Sequence, residues 1–502
     1  MLASTNPEGQ ALLCTTVHRG GIVTTIEGVL GDLLDEIRAR RPDLAAHAEL
    51  TSDPARLRDE SPVTAVARSL LVFPATAEDV AWLVRLAHLH ESPIVPRGAR
   101  TGLVGGAVPL RPSLVIDLSR LTAIESLDLA GRRLRVGAGV TLGQIDDVLA
   151  PHGMMYPPDP ASFRRATIGG TVATNAGGLR CVKYGTTDRW IRTLRVVLPD
   201  GSMADLGHPV MKDATGYDVR RLFIGSEGTL GIVVSVGLTF CPRPTDARMM
   251  LAAFGTIEAA LAANHAIRDR LVPSMCELLD RGALASRDTE VLTSLIGRVQ
   301  EWGSDPALLL LQLDGMGVDA ETATLRAVVA PHAVAVRDVA PADEAEVLAV
   351  RRGGSAVRSG RADVEEALVA PADTAPVLPQ DLSVPIDRLA QIVKVIREVA
   401  DHAQLESRIA AHAGDGNLHL LLCAPTDSRA DPGEARRRLE RAMEQIVRHA
   451  LELGGTVSGE HGIGAAKRGW ARQDLGPSVI EMHRAIKRAL DPKNLMNPEK
   501  AF

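Results

Sequence analysis

Four residues able to do chemistry gather near the C-terminal end of the chain. The stretch "AAHAGDGNLHLLL" sets His412 and His419 seven residues apart around Gly-Asp-Gly-Asn. Two glycines with an Asp and an Asn disfavour a helix, and on one straight strand an odd separation points two side chains to opposite faces. A chain reversal between them resolves this, and the turn residues with apolar, strand-like flanks predict a hairpin that brings both imidazoles to one point. About forty residues on, "SGEHGIG" adds Glu460 and His461. Two imidazoles and one carboxylate suit zinc, manganese or iron with positions left open for a substrate. The plainer alternative is two ordinary histidines at a hairpin mouth, a Glu460 that caps the next segment, and a His461 satisfied within its loop.

A second kind of chemistry is written in glycine. "PRGARTGLVGGA" follows an apolar strand, "ATIGGTVATNAGGLR" and "GSEGTLGIV" come after it, and all three lie within one region. Glycines let backbone N–H groups close on an anion and form a concave nest. Three such loops together point to a large dianionic cofactor. The spacings do not fit a P-loop, and "RRLRVGAGVTLG" is one residue too wide for the Rossmann fingerprint, so it reads as a strand end and a helix start rather than a nicotinamide site.

The motifs "PRGARTGLVGGA", "YPPDPAS…ATIGGTVATNAGG", "GYDVRRLFIGSEGTLGIV", "HAGDGNLH", "SGEHGIG" and "DPKNLMNP" stand in this order. Together they resemble the FAD-linked dehydrogenases of the vanillyl-alcohol oxidase superfamily. The similar branch holds D-lactate dehydrogenase, D-2-hydroxyglutarate dehydrogenase and the flavin subunit of glycolate oxidase. The resemblance spans residues 65–502 and implies an α+β fold: a two-part FAD-binding domain and an α+β cap with an antiparallel sheet. Residues 1–64 would be a lead-in, 65–243 the FAD-binding domain, 244–455 the cap, and 456–502 a return to the flavin.

Matched to the family's motif positions, Arg97, Gly98, Thr101 and Gly102 would hold the pyrophosphate. Asp159, Ser162, Thr167, Gly170 and Ala176 would line the flavin and ribityl region. Glu227, Gly231 and Ile232 would lie along the adenine end, and Asn497 would close over the ring. The first loop has no histidine, which implies dissociable rather than covalent FAD. His412, His419 and Glu460 take the metal-ligand positions, His461 that of the base, and Arg351 that of the cation for the substrate's anionic end. Oxidation of a 2-hydroxy acid then sends hydride from Cα to flavin N5 while the hydroxyl loses its proton. A cation eases that loss in the sense that zinc takes bound water from pKa ~15.7 to ~7. His461 is suited to receive the proton because imidazole titrates near working pH.

Two departures bear on the substrate. The hydroxyglutarate enzymes carry a Lys just before the "DLS(V/L)P" segment, where this chain has Pro379–Gln380. They also carry an Asn two residues after the second metal histidine, where this chain has Leu421. Both disfavour a dicarboxylic substrate. Two rival readings are an alkylglycerone-phosphate synthase-like transferase using FAD without net redox, and a His-His-Glu metallohydrolase with structural glycine loops. The relatives of the first type carry a histidine cluster where this chain has "SGEHG", so Glu460 weighs against it.

The elements that must position these residues are also legible. "LLVFPA" and "PIVPRG" read as strands around an amphipathic helix, "TAEDVAWLVRLAHLHE", with Thr76 as N-cap and Glu78 and Asp79 in the first turn. "CPRPTD" breaks the first region near Arg243. Beyond it lie the strand "ALLLLQLDG" and the helices "PIDRLAQIVKVIREVADH" and "PGEARRRLERAMEQIVRHALELGG", the second stopped by Gly454 and Gly455. Residues near 353–380 lack pattern and read as loop, and a short helix precedes the C-terminal tail.

The 502 residues exceed one ordinary core, and a net charge of −6 without basic blocks excludes nucleic acid as a partner. Apolar runs are too short to cross a bilayer. The first residues lack the pattern of a secretory signal, so the expectation is a cytoplasmic protein, free or peripheral at the membrane, with a homodimer admitted. Five scattered cysteines without a CxxC pair exclude an iron–sulfur cluster within the chain. An external electron acceptor is therefore needed: a quinone, an electron-transfer flavoprotein or an iron–sulfur partner.

Overall fold

The computed structural model describes residues 16–19, 22–65, 68–287, 289–351, 377–425 and 431–501. Strands Ser69–Val72, Leu114–Asp117 and Ile94–Arg97 run parallel, and Ala48–Thr51 adds an antiparallel edge. The runs of Ser69–Val72 and Leu114–Asp117 are buried throughout, as parallel strands covered on both faces must be. Helix Ala77–His90 begins at Thr76 with a capping box: the hydroxyl accepts from Asp79 N while the Asp79 carboxylate accepts from Thr76 N. The lead-in before residue 65 carries a helix that packs on this sheet. Leu30, Leu33 and Ile37 of helix Ile26–Arg40 are fully buried in the same core as Leu83 and Val84. A second, five-stranded antiparallel sheet holds Met203–Leu206, Ile191–Val197, Ile232–Thr239, Arg133–Gly137 and Ile124–Asp128, in that order. The near-Rossmann segment is a strand, Arg133–Gly137, leading to a helix, Leu142–Leu149, as its sequence indicates.

The largest sheet among the described residues is antiparallel and seven-stranded, ordered Ala335–Val339, Ala247–Phe254, Ala307–Asp314, Met275–Leu279, Glu406–His412, Asn417–Cys423 and Val377–Ser383. Helices Ile257–Arg268, Val318–Val329, Leu389–His402 and Pro432–Glu452 pack their apolar faces into one core with it. Val377–Ser383 corrects the reading of residues near 353–380 as loop, of which 352–376 lie outside the described residues. Pro379 obscures the strand because it donates nothing to a ladder, and the sheet tolerates it because this strand is an edge. The C-terminal helix Arg468–Leu490 is longer than expected and breaks at Gly476, where φ is +70° ahead of Pro477. Beyond it the chain returns to the first sheet: Ile94 N donates to Leu495 O at 2.8 Å and Asn497 N to Ile94 O at 2.7 Å.

Candidate active site

The hairpin forms where the spacing requires it. Strands Glu406–His412 and Asn417–Cys423 pair antiparallel, with Gly416 at φ +89° in the turn. Directly paired residues share a sheet face, as do residues two apart on one strand. One row across that face reads Glu277, His412, Asn417, Ser383, and the next Leu279, Ala410, His419, Asp381. The two imidazoles thus become diagonal neighbours, with ring centroids 5.0 Å apart.

Glu460 arrives from the loop after helix Pro432–Glu452 and lies between them. Its Oε1 is 3.3 Å from Nε2 of His412 and 3.3 Å from Nε2 of His419. Burial disfavours its charge, but His412 and His419 outweigh that and hold the carboxyl well below its usual range. Burial likewise opposes charge on His412, yet Glu277 and Glu460 raise its pKa well above the ordinary imidazole value. His419 moves the other way, lowered by burial and kept there against the pull of Glu460. One ligand atom from each of the three lies within 4.8 Å of the others, so the donor set fits a divalent cation. A second grouping, Asp381, His419 and His461, meets the same distance test. It is the poorer cage, because the Asp381 carboxylate already accepts from Ser458 Oγ and from the N–H groups of Gly459, Glu460 and His461.

Glu277 is the participant that sequence reasoning missed. It is fully buried, accepts from His412 Nδ1 at 2.7 Å and from Arg351 Nε at 2.6 Å. The first contact fixes the His412 tautomer and aims Nε2 at Glu460, the arrangement by which carboxylates orient metal-binding histidines. The second gives Arg351 a different partner from the substrate carboxylate expected of it. The guanidinium is buried against Glu277 and does not line the cleft formed by the glycine loops. A charged residue inside the buried strand "MCELL" was the available signal, since a carboxylate there must be paired. Replacing Glu277 by Gln is expected to weaken divalent-metal affinity by ~10–100-fold, as loss of such a partner does. Equilibrium dialysis with zinc or manganese measures it, and an unchanged affinity rejects the orienting role.

The glycine loops converge on one cleft with about 1320 Å³ of empty space, part of it open to solvent. Gly98, Thr101, Gly102, Ser162, Thr167, Gly170, Ala176, Glu227, Gly231 and Ile232 all line it, and so do Glu460 and His461. The cleft therefore reaches Glu460, the carboxylate of the His–His–Glu cluster, while His412 and His419 do not line it. Close packing explains several of the glycines: a Cβ on Gly98 would collide with Thr167 Oγ1, and one on Gly177 would lie 2.5 Å from Glu460 Oε2. Thr167 caps helix Ile168–Thr174, whose first N–H groups are taken up by Val140 O, Ala138 O and Thr167 Oγ1, so this helix start shapes the cleft wall. Size and a glycine-rich lining fit an FAD.

Three expected cofactor residues hold the cleft's walls with their side chains. Arg97 pairs with Asp117 at 2.7 Å and donates to Arg56 O at 2.6 Å, leaving its main chain to the cleft. Asp159 Oδ1 accepts from Arg180 N at 3.1 Å. Glu227, at φ +52°, accepts from Ile463 N and Gly464 N, each at 2.8 Å, pinning the loop that carries Glu460 and His461. Burial raises its pKa against those two donors. Asn497 is buried and does not itself line the cleft, but its Nδ2 donates to the carbonyls of Gly106 and Glu227, which do.

A model of FAD binding domains matches residues 69–207, and one of the C-terminal domain of FAD-linked oxidases matches residues 243–501. D-lactate dehydrogenase of Anaerostipes hadrus is 31% identical over 88% of this chain and 91% of its own. Glycolate oxidase subunit GlcD of Bacillus subtilis is 32% identical over 86% of this chain and 88% of its own. The structure of p-cresol methylhydroxylase shares the fold at TM-score 0.73 and 18% identity, covering 95% of this chain and 97% of that one. The chain belongs to the FAD-linked oxidases and is an FAD-dependent oxidoreductase of the D-lactate dehydrogenase and glycolate oxidase type.

Proposed function

We propose that the enzyme oxidises a D-2-hydroxy acid, monocarboxylic and lactate-like, to the 2-oxo acid, and passes the electrons to an external acceptor. One observation supports this reading: Glu460, with its Oε1 3.3 Å from Nε2 of both His412 and His419, lines the cofactor cleft together with His461. FAD, when bound, supplies the hydride acceptor, and a divalent cation, when bound, supplies a Lewis acid beside the substrate's hydroxyl. His412, His419 and Glu460 would hold the cation, with zinc the first choice and manganese or iron admitted. His461 accepts the hydroxyl proton. Arg351 serves through Glu277, which sets the His412 ring.

The D preference rests on the resemblance to relatives such as the D-lactate dehydrogenase of Anaerostipes hadrus. The acceptor is a quinone, an electron-transfer flavoprotein or an iron–sulfur partner. Among the described residues no helix is long and apolar enough to cross a membrane. Purified protein should be yellow and contain a divalent metal, and D-2-hydroxy acids should bleach its flavin anaerobically while L-enantiomers do not. Equal bleaching by both enantiomers, or by neither, rejects the substrate reading. Absence of divalent metal together with no response to added zinc or manganese rejects the metal.

A further inference from the structure

Asp381 is fully buried on the edge strand Val377–Ser383, in the same row as His419. Its carboxylate accepts from Ser458 Oγ at 3.0 Å and from three consecutive N–H groups, those of Gly459 at 3.1 Å, Glu460 at 3.1 Å and His461 at 2.9 Å. The Lys467 ammonium lies closer to carbonyls than to this carboxylate, 2.9 Å from Asp381 O and 3.2 Å from Val457 O but 3.5 Å from Oδ2. The same Oδ2 is 3.8 Å from Nδ1 of His461. That separation is outside hydrogen-bond reach. A shift of about 1 Å closes it, the sort of tightening catalytic contacts undergo when substrate binds.

We propose that Asp381 is the positioning partner of His461, an inference that rests on His461 being the base. Its carboxylate draws Nδ1–H toward itself, so that Nε2, on the other side of the ring, is the atom turned to the substrate. When the hydroxyl O–H bond breaks, the proton goes to Nε2 and the electron pair stays on oxygen to form the carbonyl as hydride leaves Cα for the flavin. His461 becomes an imidazolium held by Asp381, which stays ionised throughout. The same division of labour makes an aspartate essential behind the catalytic histidine of serine proteases, where the neutral amide destroys activity without disturbing the geometry. The loop hydrogen bonds give the pair its rigidity, because one carboxylate fixes both the backbone of His461 and the side on which its ring rests.

A double-mutant cycle on the rate of anaerobic flavin reduction at saturating substrate separates this role from loop anchoring. Asp381→Asn should retain FAD and metal and lower the rate by ~10²-fold, within the range of general-base contributions. In a His461→Ala background it should lower the rate less than about threefold further, because residues acting as a unit are not additive. An unchanged rate in Asp381→Asn, full additivity, or loss of metal in parallel with the rate each overturns the pairing and leaves Asp381 an anchor. If His461→Ala itself reduces flavin at the wild-type rate, the base reading fails, which is a distinct result. Should Asp381→Asn not be recovered folded, the same cycle with Asp381→Glu, which moves the carboxylate by one methylene, reads the same coupling.

Discussion

Removing the His461 side chain is expected to slow anaerobic flavin reduction by ~10²–10⁴-fold, the usual contribution of a general base. FAD and metal contents should stay at wild-type levels. The separation comes from the placement of the groups. Glu460 is held between His412 and His419, with its Oε1 3.3 Å from Nε2 of each. The loop's backbone is pinned by Asp381 and Glu227 through main-chain N–H groups that an alanine at 461 retains. The ring lines the cofactor cleft rather than filling its core. Stopped-flow absorbance at the flavin band, with elemental analysis of the same sample, provides both readouts. Loss of metal in His461→Ala would mean the ring is a ligand, and an unaltered rate would move the base elsewhere. His412→Ala should behave in the opposite way, losing metal while keeping the flavin spectrum.

The His–His–Glu cluster was legible because two local rules met at one place. A Gly-Asp-Gly-Asn turn reverses the chain, and seven residues is the separation that then puts both histidines on one face. The cofactor cleft was legible because glycine is required wherever backbone packs this closely, as at Gly98 against Thr167. What the sequence hid were carboxylates that act across long separations. Glu277 and His412 are 135 positions apart, and Asp381 and His461 are 80 apart. Sheet register sets Glu277 opposite His412, and the loop after helix Pro432–Glu452 folds back onto Asp381, so both pairs depend on the tertiary assembly around the seven-stranded sheet. Asp381 was further concealed because its strand contains Pro379 and comes after a stretch without periodicity. Arg351 was found by position but not by partner, since nothing local reveals that Glu277 waits opposite.

The same register supports a second large effect, on the substrate's far end. Pro379 and Leu421 are directly paired and occupy the row beside Asp381 and His419, on the face that carries the two histidines of the His–His–Glu cluster. Leu421 is buried there. The remaining member of that row, Arg408, turns its guanidinium to Glu406, with contacts of 3.0 and 3.3 Å. Lys467 is committed to main-chain carbonyls beneath the loop. A second carboxylate brought to this wall would meet a proline ring and a leucine, and an unpaired buried charge costs about 3–5 kcal/mol. By the tenfold-per-1.4-kcal/mol relation, kcat/KM for 2-hydroxyglutarate and malate should fall at least ~10²-fold below that for lactate or 2-hydroxybutyrate. Each added methylene on a neutral tail changes binding by only about 1–3 kcal/mol, so tail length should matter less than tail charge. A kinetic panel of both acid types tests this directly. If 2-hydroxyglutarate turns over best, a cation reaches the wall on substrate binding. Arg408 released from Glu406 would be the first to replace by Met, and Arg352, outside the described residues, the second.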